Sequence, residues 1–430
     1  MILLELHVVM FITGALLLLA GWLAAYHPDP REAGVGAGAL MFALGVAALG
    51  TYGELSVPGG VQLDAVSIPR LSLAGMCLAA VFLVMPRRHG SWPLTIALVA
   101  LALSHVALAC APASLVGVFW ALSCSVTALA IPAGSARRVA LPYLAFAAGV
   151  GLGGTVLGGD VGLALLVLAV AVRLGVFPFH SWVVASYHHA PTTIAVAVAA
   201  PMAAIVLVAR TPMGFEGNLG LAITVFLAAA AIVTAALAIV QSELARAVGF
   251  VTVSVQTIVF LAVLDADHIG HLGGLMMWSV TGIALVGLGL VTAAIRSRVG
   301  DLDIDDYAGL LERAPVLGGL FLLFGLAAVG APGTADFASE DLVLHGALAH
   351  HTGLLLLFIS AVSVQGYAVL HLFYRVFFGP PRKMPVSDAM PREALALSML
   401  GALLLGTGLA PQLLVNGWLV FEPVAMTALP

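Results

Sequence analysis

Charge is what this sequence has least of. Of 430 residues, only 9% are Asp, Glu, Lys or Arg, while 62% are hydrophobic. A soluble domain carries about a quarter charged residues, so a water-soluble globule is excluded. Lysine is nearly missing, and Lys383 is the only one. The three cysteines, Cys77, Cys110 and Cys124, lie in apolar runs without metal or disulfide spacing and read as packing residues. No phosphate loop, zinc ligand set, haem attachment motif or nucleophile triad occurs, so no cofactor, metal or catalytic site is expected in this chain. Nothing in it points to nucleic acid. The run "GVGLGG" at Gly149 to Gly154 has the glycine spacing of a dinucleotide loop. No strand precedes it, however, and in an apolar helix small residues serve close packing.

What is present is a series of long apolar runs. Stretches of about 20 apolar residues recur along the chain, the mark of an all-α polytopic membrane protein. The opening "MILLELHVVM" carries Glu5 and no basic leader region, so the first run is expected to be a retained helix. Fourteen spans are predicted, at 9–25, 36–52, 66–86, 93–110, 114–132, 139–157, 161–179, 191–210, 218–240, 246–264, 272–295, 315–345 (interrupted), 352–378 and 392–411.

The basic residues test that count. With loops numbered alternately, one side holds Arg31, Arg87, Arg88, Arg137, Arg138, Arg246, Arg296, Arg298, Arg313, Arg375, Arg382, Lys383 and Arg392, thirteen of sixteen Lys and Arg. The other holds Arg70 and Arg210 with Glu54, Asp64, Asp160, Glu216, Asp265 and Asp267. One missed span would scramble this segregation. The positive-inside rule then puts both termini on the outer face of the cytoplasmic membrane. The longest polar piece, residues 296–315, lies on the basic side and reads either as a solvated loop or as a docking surface for a soluble cytoplasmic partner.

Two spans are broken. "VFPFHSWVVASYHHAPTT", Val176 to Thr193, interrupts span 7 with Pro178 and ends at Pro191. "GAPGTADFASEDLVLH", Gly330 to His345, interrupts span 12 with Pro332 and Gly333. The breaks lie five spans apart, which predicts two inverted five-helix repeats, spans 4–8 and 9–13. The organisation expected is a three-helix segment at 1–90, repeats at 91–212 and 213–380, and a C-terminal helix at 381–430. Irregular backbone at membrane depth must be buried in protein or line a wet cavity, so an ion pathway is expected there.

The intramembrane ionisable residues are the pathway candidates. Arg173 sits about twelve residues into span 7, roughly 18 Å deep at 1.5 Å per residue. It cannot give up its proton, so it either plays a structural or electrostatic part or holds an anion. Glu340 and Asp341 follow the second break. They point about 100° apart on a helix, so one of the two is expected inside. A capping reading competes, in which Asp336 or Ser339 opens the helix. His180 sits in the first break and either shuttles protons or satisfies freed carbonyls. His188 and His189 read as partners of such carbonyls. His345 follows Asp341 by four residues and can share its helix face. His371 and Arg375 lie near the cytoplasmic end of span 13, where a snorkelling arginine is expected.

Three stretches resemble a known family. "RLGVFPFHSWVVASYHHAPTT" looks like the span 7–8 signature of the antiporter-like membrane subunits of respiratory complex I, which carry a Lys five residues before the Pro. "QSELARAVGFVTVSVQ", Gln241 to Gln256, is similar to the family's acidic stretch before helix 10, and "GLAAVGAPGTADFASEDLVL" resembles its helix 12 segment. Cation/proton antiporter subunits, the membrane arms of energy-converting hydrogenases and formate hydrogenlyases, and membrane subunits of bicarbonate-accumulating DAB complexes share these features.

The resemblance implies fourteen helices, inverted repeats, an outward N-terminus and membrane-subunit partners. It also implies a proton path using a Glu in helix 5, Lys in helices 7, 8 or 11, and Lys or Glu in helix 12. Here those positions are Ala121, Arg173, a residue near Ala204, nothing ionisable in 272–295, and Glu340. A complete relay of Lys and Glu is therefore excluded. Three functions remain open: a proton-coupled redox complex subunit with a reduced path, a scaffold that moves nothing, or an ion-conducting subunit of an inorganic-carbon or cation transporter.

Overall fold

The computed structural model describes residues 91–109, 113–200, 202–209, 217–265, 267–305, 307–350, 352–380 and 386–410, with short pieces at 35–36, 55–57, 61–63, 76–77 and 80–85. Spans 1 and 2 of the sequence reading, most of span 3, and the C-terminal segment after 410 lie outside these residues. A hairpin of two three-residue strands, β1 (Leu55–Val57) and β2 (Val61–Leu63), occupies the loop expected between spans 2 and 3. All else that is regular is helical.

Helices α1 (Ser91–Ala109), α2 (Ala113–Ala130) and α3 (Ser135–Leu157) run back and forth and pack in sequence. Span 7 is split into α4 (Gly159–Leu174) and α5 (Ser181–His189). α6 (Thr192–Ala199) then gives way to a 3-10 turn at Ala203–Leu207. The second half begins with α7 (Gly217–Ile239), α8 (Leu244–Val263) and the long α9 (His268–Val299). Span 12 is split into α10 (Pro315–Ala327) and α11 (Ala335–His350), and α12 (Thr352–Phe377) and α13 (Pro391–Leu409) follow. Six of these helices are long and apolar enough to cross a membrane among the described residues.

The helices are apolar on all sides, as lipid demands, because a polar face has no use against hydrocarbon. Leu141, Phe146, Val156 and Leu157 on α3, Leu219 and Phe226 on α7, and Leu356, Ile359 and Leu370 on α12 are exposed. They form the surface that a bilayer solvates. α8 and α9 are the opposite case. Nearly every side chain on them is buried, so they form the centre. α5 packs on α8, and α6 packs on α9. α10 and α11 of the second break also pack on α9, so the two broken regions share that helix.

Both breaks begin in the same way. α4 ends at Gly175, φ 76°, with Gly175 N–H donating to Val172 O (3.1 Å) and Val176 N–H to Ala171 O (2.9 Å). α10 ends at Gly330, φ 64°, with Gly330 N–H donating to Ala327 O (3.3 Å) and Ala331 N–H to Leu326 O (3.0 Å). This is a helix stop that uses a left-handed glycine to close the last carbonyls. The Phe177–Pro178 bond is cis.

Span 8 departs from the sequence reading, which ran it unbroken through 191–210. α6 stops at Ala199, and Met202 has φ 50°. Pro201 in "AAPMAA" is the signal that was available, since a mid-helix proline removes a hydrogen bond and clashes with the preceding turn. The freed carbonyls are met from other helices. Gln256 on α8 donates to Ala199 O (2.6 Å), Trp278 on α9 to Met202 O (3.1 Å) and Trp120 on α2 to Ala204 O (3.1 Å).

The polar piece 296–315 is not a free loop. Its residues alternate, with Leu302 and Ile304 buried and Asp301, Asp303 and Asp305 exposed. Ala308, Gly309, Leu310 and Leu311 donate backbone hydrogen bonds to the end of α12, at Arg375, Phe378, Val376 and Phe377. Arg375 answers by donating to Ile304 O and Asp305 O and lies over the Tyr307 ring. Arg375 thus clamps a protein strap and does not snorkel into water. Arg298 and Glu393, both buried, close the same end with a 2.5 Å ion pair. Lys383 lies outside the described residues.

Candidate functional site

The first break holds Arg173 two residues before its glycine, in the last turn of α4. The side chain is 5% exposed. It donates to Thr127 Oγ1 on α2 (2.8 Å), lies against Cys124, and places its guanidinium 5.5 Å from the centre of the Trp182 ring. Trp182 in turn donates Nε1–H to Val172 O (2.9 Å), one of the carbonyls at the helix stop. Among the described residues, no carboxylate faces the guanidinium. The indole face and one hydroxyl acceptor are what its positive charge meets. Ala121, where the resemblance expects a Glu, sits on the same helix α2 as Thr127.

His180 is half-buried in the break and sits between the rings of Phe177 (5.4 Å) and Phe250 of α8 (5.5 Å). Pro178 is exposed and Pro191 opens α6. His188 and His189 do not satisfy the carbonyls at the end of α5. Arg296 from α9 does so. It donates to Tyr187 O (3.0 Å), His188 O (2.8 Å) and Ala190 O (3.1 Å), as well as to Thr192 Oγ1 (3.2 Å). A planar guanidinium has five donors in a fixed fork, which an imidazole cannot match. His188 instead pairs with Glu243 at the start of α8, and His189 is exposed.

The second break holds its ionisable groups on the far side, in the first turns of α11. Glu340 is 7% exposed. Its carboxyl lies on the bare backbone of Gly330, where any Cβ would overlap it. Asp341 is exposed and meets His345 through its carbonyl (2.7 Å) and carboxyl (3.6 Å). Of the adjacent acids, one is inside and one outside, and His345 is on the outer face with Asp341. Pro332 is exposed and Gly333 has φ 90°.

Asp336 is not a cap. It is 0% exposed, and its Oδ1 accepts from Thr281 Oγ1 of α9 at 2.5 Å. Sequence reasoning missed this role because the helix that supplies the partner lies 55 residues away.

Long apolar helices, two stopped at left-handed glycines, with a buried Arg and a buried Glu beside the stops, define an integral membrane protein of broken-helix design. The matching family model, described as NADH:quinone oxidoreductase/Mrp antiporter, TM, covers residues 148–365. The chain belongs to this family. NADH-quinone oxidoreductase subunit N of Halorhodospira halophila is 29% identical over 257 residues, 58% of this chain and 53% of that one. The chain spans about half the length of the curated relatives it matches. A chain of respiratory complex I from Thermus thermophilus shares the fold at a TM-score of 0.82 and 22% identity, over 98% of this chain and 100% of that chain. A chain of the Mrp complex from Dietzia sp. DQ12-45-1b shares it at 0.81 and 16%, over 97% and 98%.

Proposed function

We propose that the protein is an antiporter-like membrane subunit of a multi-subunit, proton-coupled redox complex, with a reduced proton path. The observation that carries this reading is Glu340, a carboxyl buried behind a helix break and seated on Gly330. An intramembrane acid is costly and is retained where ions move.

Fourteen spans and two inverted five-helix repeats fit the packing. In the first group, α3 packs on the post-break helix α5, and α1 packs on α6. In the second group, α9 packs on α11 and α7 on α12. The matching glycine stops at Gly175 and Gly330 support the same pairing. The repeats then run over 91–212 and 213–380, after a segment at 1–90 and before one at 381–430. The basic loops put the strap on the cytoplasmic side and both termini on the outer face of the cytoplasmic membrane.

The ionisable groups of the two repeats are not equivalent. Arg173 precedes the first stop, where Ala328 precedes the second. Glu340 is the sixth residue of α11, where Ser186 is the sixth of α5. The path is therefore centred on Glu340, with Arg173 as a fixed positive charge. Asp341 and His345 lie on the outer side of α11, and His180 lines the first break. The partners are membrane subunits of the complex. A soluble subunit would meet the acidic outer edge of Asp301, Asp303 and Asp305.

The neutral partners of Arg173 favour a second reading, in which the subunit only anchors its neighbours. Glu340→Gln in the assembled complex separates the two. Proton uptake by inverted membrane vesicles, driven by the redox reaction, should fall about a hundredfold or more, the lower end for losing a positioned proton-transfer group. Unchanged uptake in an intact complex leaves the scaffold.

A further inference from the structure

The resemblance to a family with a relay of Lys and Glu leaves one buried acid with no assigned part. α9 has nothing ionisable over 272–295, yet a carboxyl is aimed at its middle. Asp336 is wholly buried, and Thr281, thirteen residues into α9, donates to its Oδ1. Its second oxygen, Oδ2, is buried with no hydrogen-bond partner among the described residues. Glu340 lies one helical turn further on the same face of α11 and within electrostatic reach of Asp336.

Among the described residues, no cation pairs with either carboxyl. α10, packed beside it, carries no titratable side chain. The titratable residues of α12 described here, Tyr367, His371, Tyr374 and Arg375, lie in its last three turns, and those of α13, Arg392 and Glu393, lie in its first turn. Arg375 and Glu393 are held by the strap and by Arg298. Two ionised carboxylates one turn apart in an apolar interior, with one hydroxyl donor on Asp336, are far costlier than two that hold a proton in common. The orphaned Oδ2 is the atom on which such a proton can sit. Thr281 donates its hydroxyl proton to Oδ1, which fixes the carboxyl and leaves Oδ2 free to carry the exchangeable proton.

We propose that Asp336 is a second proton-carrying carboxyl, exchanging one proton with Glu340 and oriented for it by the Thr281 hydroxyl. The proton moves as H⁺ between carboxyl oxygens, with no other bond made or broken. This inference rests on the proton-path reading above.

The test uses the assembled complex in native membrane vesicles with three variants. Asp336→Asn keeps the acceptor for Thr281 and removes only the proton site, Thr281→Val removes the hydroxyl, and Thr281→Ser restores it. Redox-driven proton uptake should fall about a hundredfold or more in Asp336→Asn, as for a lost proton-transfer group. It should also fall in Thr281→Val and recover in Thr281→Ser. Dicyclohexylcarbodiimide, which adds to protonated carboxyls in apolar surroundings, should label both Asp336 and Glu340 by peptide mass spectrometry. Sodium should not protect either residue.

If uptake falls in Glu340→Gln but not in Asp336→Asn, the inference is overturned while the function stands. If neither variant changes uptake, the function falls with it. Protection by sodium would mark a sodium site and overturn the proton assignment. Should Asp336→Asn fail to assemble, wild-type labelling still decides: an adduct on Glu340 alone rejects the proposal.

Discussion

Arg173 and Thr127 are joined across α4 and α2 by a 2.8 Å hydrogen bond, and among the described residues no acid pairs with the guanidinium. A buried guanidinium without a counter-charge burdens the fold more than it supports it. Replacing Arg173 by Met, of similar length, should therefore leave the thermal stability of the solubilised complex within about 1 kcal/mol of the wild type, or raise it. Removing only the acceptor, in Thr127→Val, should cost about 1–3 kcal/mol, because the charge stays and its oxygen is gone. Unfolding followed by tryptophan fluorescence checks both. A collapse of Arg173→Met would show that the arginine is a structural strut.

The clamp of Arg296 on the end of α5 is a separate matter of backbone satisfaction. Arg296→Ala strands the carbonyls of Tyr187, His188 and Ala190. A loss of about 3 kcal/mol or more is expected, from 1–3 kcal/mol for each stranded group with partial rehydration. Arg296→Lys should recover only part of it, since an ammonium lacks the planar fork. The yield of assembled complex and its melting temperature are the measurements.

Gly330 is required twice, for its φ of 64° and for the space that the Glu340 carboxyl occupies. A side chain in the left-handed region costs about 1–2 kcal/mol. Gly330→Ala should therefore destabilise modestly and also displace Glu340. Proton uptake should fall toward the level of Glu340→Gln while the complex still assembles. Gly153 has open space around it, so Gly153→Ala is the control and should change neither quantity.

The break in span 8 is held by Gln256. Gln256→Leu leaves Ala199 O without its donor in a buried site. About 1–3 kcal/mol of stability should be lost. Faster hydrogen exchange confined to 192–209 would locate the effect. Exchange that rises evenly over the whole chain would contradict it.

Much of this was legible in the sequence. "RLGVFPFH" and "GAPGT" announce the two breaks, because glycine and proline close together punctuate an apolar run more strongly than a single glycine does. The adjacent pair Glu340 and Asp341 carries its own prediction of one acid inside and one outside, from helix geometry alone. Span 8 was misread as continuous although Pro201 stood in its middle, because its apolar run was long enough to look unbroken. By sequence His188 and His189 look like partners of the carbonyls that Arg296 takes, and Asp336 competes with Ser339 as a helix cap. In both cases the residue was judged by its neighbours in the chain, and the partner came from another helix.

By itself the sequence determined that the chain is a bundle of membrane helices with two broken spans. Lipid offers backbone groups no hydrogen bonds, so apolar runs of that length have only one outcome. Which ionisable side chains turn inward, and what meets them, only the tertiary structure decided. Arg173 finds Thr127 across 46 residues, Asp336 finds Thr281 across 55, and Arg296 reaches Tyr187 across 109. Those pairings depend on how helices stack, and no local pattern of residues encodes a neighbour that far along the chain.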